Sequence, residues 1–155
     1  MKILGLDPGT ATTGFGLIKA NQDTLNCIRY GVIKTDSKTK LENRLMIIYS
    51  ELEDILKEYK PEAIAIEKIF FFKNPKTIIP VSEARGIMLL AAAKYNIPIY
   101  EFTPLQVKMA VTGYGRAEKK QVQEMVKNLL NLEKLPKPND AADALAIAIS
   151  HSYTL

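Results

Sequence analysis

The opening residues Lys2-Ile3-Leu4-Gly5-Leu6-Asp7-Pro8-Gly9 constrain the fold most. An apolar run of strand character stops at a carboxylate, because Pro8 cannot donate to a ladder and Gly9 supplies turn conformations. A buried acid at a strand end is costly without cationic compensation. On these residues alone two roles are open to Asp7: starting a turn through its own side chain, or serving a site at the strand terminus. Ala63-Ile64-Ala65-Ile66-Glu67 repeats the pattern of an apolar run closed by an acid. Unbroken apolarity fits strands covered on both faces, as in the parallel part of an α/β sheet. Asp7 and Glu67 would then end neighbouring strands on the edge where such sheets carry their sites.

Between these strands, Thr13 to Lys19 and Thr24 to Lys34 read as strands joined by Asn21-Gln22-Asp23, so the first three strands form an antiparallel meander. A helix follows, with Thr39 and Glu42 spaced as a capping box and Leu41, Leu45, Ile48, Leu52, Ile55 and Tyr59 at helical intervals. Ser82 to Tyr95 reads as a helix with a small-residue face, and Ile97 to Phe102 as a strand. Thr103-Pro104 opens a helix ending near Gly113, a second runs from about Arg116 to Leu132, and Asn139 is a possible cap for a last, apolar one. The expected class is α/β, with 155 residues forming one domain.

Charge is segregated. Leu105 to Lys137 carries seven basic residues (Lys108, Arg116, Lys119, Lys120, Lys127, Lys134, Lys137) against three acids, which accounts for the whole net charge of +4. The segment is either a solvated helix face or a phosphate-binding surface. Cys27 is the only cysteine, which leaves no disulfide framework within one chain and suits a reducing cytosol. With no basic segment and long apolar run at the N-terminus and no span fit for a bilayer, a soluble cytoplasmic protein without membrane contact is expected. His151, the only histidine, reads as a surface residue rather than a ligand.

Asp140 and Asp143 share a face in the first turn of the last helix, where acids are ordinary because the helix dipole favours them. That helix must nevertheless pack into the core. If its acidic end meets the edge bearing Asp7 and Glu67, four carboxylates share one small volume and repel strongly. Divalent metal resolves such crowding. Oxygen ligands without Cys or His clusters favour Mg²⁺ or Mn²⁺ over zinc, and two such ions roughly 3.5 to 4 Å apart support phosphodiester hydrolysis. Phe70-Phe71-Phe72 cannot all face inward if the stretch is a loop, which leaves two fates open to each ring: exposure for stacking on a base or packing on a partner, or burial under the following helix.

In order and spacing the chain resembles the RuvC-type Holliday junction resolvases of the ribonuclease H-like superfamily. The resemblance runs through Gly5-Leu6-Asp7-Pro8-Gly9 with Thr13-Gly14-Phe15-Gly16, Ala65-Ile66-Glu67 with Phe70, Glu83-Ala84-Arg85-Gly86, and Gln106-Val107-Lys108. It continues through Gly113-Tyr114-Gly115, Ala117-Glu118-Lys119-Lys120-Gln121-Val122 and Asp140-Ala141-Ala142-Asp143-Ala144-Leu145-Ala146.

The resemblance implies a ribonuclease H-like fold: a mixed five-stranded sheet, three antiparallel strands plus two parallel, flanked by helices. It implies Asp7, Glu67, Asp140 and Asp143 as catalytic acids holding two Mg²⁺ ions (Mn²⁺ as substitute), Phe70 stacking on a base, and Lys108 and Lys119 near the cleaved strand. It also implies a homodimer that nicks a four-way DNA junction symmetrically in recombination and repair, working with a branch-migration motor. Family members typically have one aromatic at the Phe70 position, so Phe71 and Phe72 leave the stacking ring open. Where some members place histidine, this chain has Asp140. A two-fold protein suits a two-fold junction, and the helix Ser82 to Tyr95 is a candidate for the interface as well as for packing on the sheet. Leu6-Asp7-Pro8-Gly9-Thr10 also resembles the phosphate-binding turn of the actin and sugar-kinase group, whose members enclose nucleotide between two domains where this chain has one. An RNA-processing or non-catalytic relative within the superfamily is the other rival; the complete acidic set argues against the latter.

Overall fold

Strand alternation divides the sheet into two unlike faces, and that division organises the molecule. A computed structural model describes residues 1–70 and 75–155; Phe71 and Phe72 lie outside the described residues. Strands β1 (Lys2–Asp7), β2 (Thr12–Ala20) and β3 (Leu25–Lys34) precede helix α1 (Leu41–Tyr59), then come β4 (Ala63–Glu67), α2 (Ile78–Lys94) and β5 (Ile99–Phe102). Helices α3 (Pro104–Thr112), α4 (Lys119–Leu129) and α5 (Asn139–Ser152) complete the order. The sheet runs β3-β2-β1-β4-β5, antiparallel at β3-β2 and β2-β1, parallel at β1-β4 and β4-β5. This is the five-stranded mixed sheet expected from the sequence.

Leu4, Leu6, Phe15, Leu17, Ile64 and Ile66 pack against α1 and α2 through Ile48, Leu52, Ala84 and Met88. The opposite face carries Ile3, Gly5 and Asp7 of β1 beside Ala63, Ala65 and Glu67 of β4, because successive side chains point to opposite sides. Small residues there have a purpose. Gly5 pairs with Gly16 and Asp7 with Gly14 across β1 and β2, leaving a trough without side chains. Helix α5 lies in it: a Cβ on Gly5 would strike the Ala144 carbonyl, one on Gly14 the Asp140 carbonyl, and one on Gly16 the Leu145 side chain. Buried Ala141, Ala144 and Ala148 present an equally small surface from the helix. The carbonyl of Asp140 is thereby seated over Gly14, the cross-strand neighbour of Asp7.

Several sequence expectations shift. The N-cap of α1 is Lys40 and makes no side-chain capping bond, so Thr39 and Glu42 form no capping box. Helix α2 starts at Ile78 rather than Ser82; Pro80 lies in its first turn, where a missing N–H costs nothing. Pro138 is the N-cap of α5, and Asn139, its first residue, accepts a hydrogen bond from Gln123 Nε2 at 3.0 Å. Helix α4 is shorter than the basic segment suggested, starting at Lys119. The Thr103 cap holds: its Oγ1 accepts from the Gln106 N–H at 3.1 Å, and Gly113 ends the helix at φ 75°. His151 is a correction, being only 2% exposed. It rides on the largely buried α5 and stacks on Tyr100 of β5 with centroids 4.1 Å apart. The alanine-rich face of α2 packs inward through Ala84, Ala91 and Ala92.

Gly14→Ala should lower stability by about 3 kcal/mol, the upper end of ordinary overpacking, because the added methyl meets backbone that cannot rotate away. Thermal melts should show a loss of roughly 6–12 °C; an unchanged melting temperature would mean that α5 does not depend on this trough.

Candidate metal centre

The trough decides what meets at the open end of the sheet. Asp7 is the last residue of β1, and Pro8 and Gly9 turn the chain away. The turn is pinned by Thr13 Oγ1, which donates to the Gly9 carbonyl at 2.6 Å, and by Thr35 Oγ1, which donates to the Thr10 carbonyl. Asp140 from the first turn of α5 and Asp143 from the next come down onto Asp7, whereas the sequence pattern puts both in the first turn. One carboxylate oxygen from each of Asp7, Asp140 and Asp143 lies within 4.8 Å of the others. The cluster answers the question left by Asp7: the residue ends a strand into a shared site.

Glu67 stands one strand away on the same face and edge, outside this triad, and its charge reaches Asp7. It lines a cleft of about 260 Å³ with Pro104, Lys108, Lys119, Val122 and Asp143. On its other side it lines a second hollow with Pro8, Phe70, Ile78 and Val81. Phe70 is half-buried there. Helix α3 presents Lys108 to the first cleft, and α4 presents Lys119. Lys119 Nζ donates to Asp143 Oδ2 at 3.1 Å. All seven residues singled out in the sequence thus surround one strand edge, with the triad at its centre.

The electrostatics are those of a site short of positive charge. Burial pushes the Asp7 carboxyl up to about 8, and the neighbouring charges of Asp143, Glu67 and Asp140 add to it. Burial also raises Asp143, an effect that Lys119 opposes and Asp140 reinforces. For Lys119 burial works against the charged form, but Asp143, with help from Asp7 and Asp140, outweighs it and raises the ammonium. Three hard oxygen donors at this spacing match the needs of a divalent cation, whose charge would relieve the burial and crowding that raise Asp7. Among the described residues this is the group able to hold a metal ion.

A profile of the family described as crossover junction endodeoxyribonuclease RuvC matches residues 3–151. The chain belongs to the RuvC family. A RuvC of Syntrophomonas wolfei is 54% identical over 154 residues, covering 99% of this chain and 90% of that protein. One from Caldanaerobacter subterraneus is 53% identical over 154 residues, covering 99% and 93%. Among solved structures, Thermus thermophilus RuvC in complex with a Holliday junction substrate superposes with a TM-score of 0.95 at 34% identity, covering 99% of this chain and 94% of that one. The fowlpox virus resolvase, at 20% identity and a TM-score of 0.65, shares the fold.

Asp7 also gives the metal-free protein a pH signature. An unfolded aspartate ionises near 4 whereas the folded carboxyl holds its proton to about 8, so the native state binds the extra proton between those values. Stability from this group is therefore lost as pH rises through that window. Asp7→Asn should melt higher than the parent at pH 8 in a chelator, and the gap should shrink towards pH 4; a parallel pair of melting curves would contradict the assignment.

Proposed function

We propose that this chain is a structure-specific endonuclease that resolves four-way DNA junctions by paired symmetric nicks, acting in homologous recombination and DNA repair, with residues 1–155 working as one nuclease domain. The observation that carries the reading is the meeting of Asp7, Asp140 and Asp143 within 4.8 Å, with lysines lining the adjoining cleft. The junction complex of the Thermus thermophilus relative supports the substrate class.

In this reading Asp7, Glu67, Asp140 and Asp143 hold two Mg²⁺ ions, with Mn²⁺ as substitute; hard anionic oxygens favour such ions. When bound, the ions supply a hydroxide nucleophile and stabilise the leaving oxygen of the phosphodiester. The chain's own residues do the positioning. Asp140 and Asp143 are held at fixed spacing by one helical turn, and the trough fixes that turn against Asp7. Lys108 and Lys119 engage backbone phosphates from the cleft wall, and Phe70, beside Glu67, stacks on a base near the crossover.

One such site cuts one strand, so paired cuts call for a homodimer. With its alanine face packed inward, α2 offers the opposite face to a second copy. There Ile79 and Leu90 are 66% and 59% exposed, and a Cβ on Gly86 would meet nothing within 4 Å. A branch-migration motor is the expected companion, and the cytoplasm the expected location. No helix among the described residues is long and apolar enough to cross a membrane.

Incubation with a synthetic mobile junction should give Mg²⁺-dependent, ligatable nicks at symmetric positions. Asp7→Asn should cut at least about 100-fold more slowly, beyond what outer-shell changes at metal sites cost, while retaining junction binding. Wild-type cutting by that variant, or preferential cutting of plain duplex or structured RNA, would overturn the proposal.

A further inference from the structure

Building on the reading of the carboxylate cluster as an ion site, we propose that Lys119 interlocks ion capture with DNA engagement: its ammonium and a metal ion compete for Asp143, and a DNA phosphate draws the lysine away. The pairing is direct, Nζ to Oδ2 at 3.1 Å, and Asp143 is one of the three residues whose oxygens converge. An ion using Asp143 meets an ammonium already on that carboxylate, and two cations sharing one small anion repel.

The geometry lets the lysine move while its backbone stays fixed. Lys119 is the first residue of α4, whose start is locked by a reciprocal capping box between Glu118 and Gln121. Ala117 and Val122 on either side are buried in the core. The Lys119 side chain itself is 57% exposed and borders the cleft that Lys108 also lines. Its charge is a compact point on a flexible stem, suited to exchange between a carboxylate and a phosphate. Departure of Lys119 to a phosphate would free the Asp143 oxygen, so the ion and the nucleic acid would each favour the other's binding. Such coupling is reciprocal by thermodynamic necessity. The free protein would hold metal weakly and gain it at the DNA, which keeps an unengaged nuclease poorly loaded.

Two binding measurements on the full chain test this without cleavage. In the first, Mn²⁺ binding to DNA-free protein is followed by electron paramagnetic resonance. Lys119→Met should bind Mn²⁺ at least about fivefold more tightly than the parent, the lower end of ordinary coupling between sites, and Lys119→Arg should stay close to the parent. In the second, junction binding is measured in EDTA as a double-mutant cycle. Asp143→Asn should tighten binding more in the parent than in the Lys119→Met background, because only the parent has a lysine to release. Equal Mn²⁺ affinities for the parent and Lys119→Met, or an Asp143→Asn effect equal in both backgrounds, would overturn the interlock and leave the metal assignment intact. Absence of Mn²⁺ binding by every variant would overturn both.

Discussion

Contact between α5 and the bare face of β1 and β2 is the constraint on which the site depends. Gly5, Gly14 and Gly16 remove the side chains that would hold a helix at ordinary distance, and the alanines of α5 remove those on its own side. Ordinary helix–sheet packing would leave Asp140 and Asp143 out of reach of Asp7. With the trough in place, an element from the end of the chain delivers two carboxylates to the terminus of the first strand. The opposite sheet face, filled by Leu, Ile and Phe, supplies the bulk of a conventional core, so stability and site-building are divided between the two faces.

That arrangement confines negative charge in a partly dry place, which is costly without compensation. Within the protein two devices offset it: a proton held on Asp7 by burial and the neighbouring acids, and the Lys119 ammonium on Asp143. A divalent cation would supply the same compensation. The basic segment that carries the chain's whole positive excess forms α3, α4 and their flanks, the wall of the same cleft. Acids and bases thus line one opening.

Much of this was legible in the sequence. The meander and the adjacency of β1 and β4 followed from the strand-like runs and their terminal acids, the full five-stranded sheet from the family resemblance, and the α3 cap from Thr103-Pro104. The convergence of Asp7 with Asp140 and Asp143 was legible as a conditional: if the last helix packs at that edge, the acids meet. What was hidden depended on tertiary contact. The glycines of β2 stood in the sequence only as part of a motif, since a missing side chain is informative only once the helix that fills its place is known. His151 looked like a terminal surface residue because its burial comes from β5, far away in sequence, whose Tyr100 covers it. The Lys40 cap escaped notice because an N-cap without a side-chain bond leaves no compositional trace.

The most direct test of the central claim is anomalous diffraction from crystals of the protein soaked in Mn²⁺. If close packing of α5 builds the site, a peak should lie about 2.1 Å from an oxygen of Asp7 and from an oxygen of Asp140 or Asp143, the distance expected for a small hard cation. Peaks bound by the helix aspartates alone, with Asp7 turned away, would contradict the account.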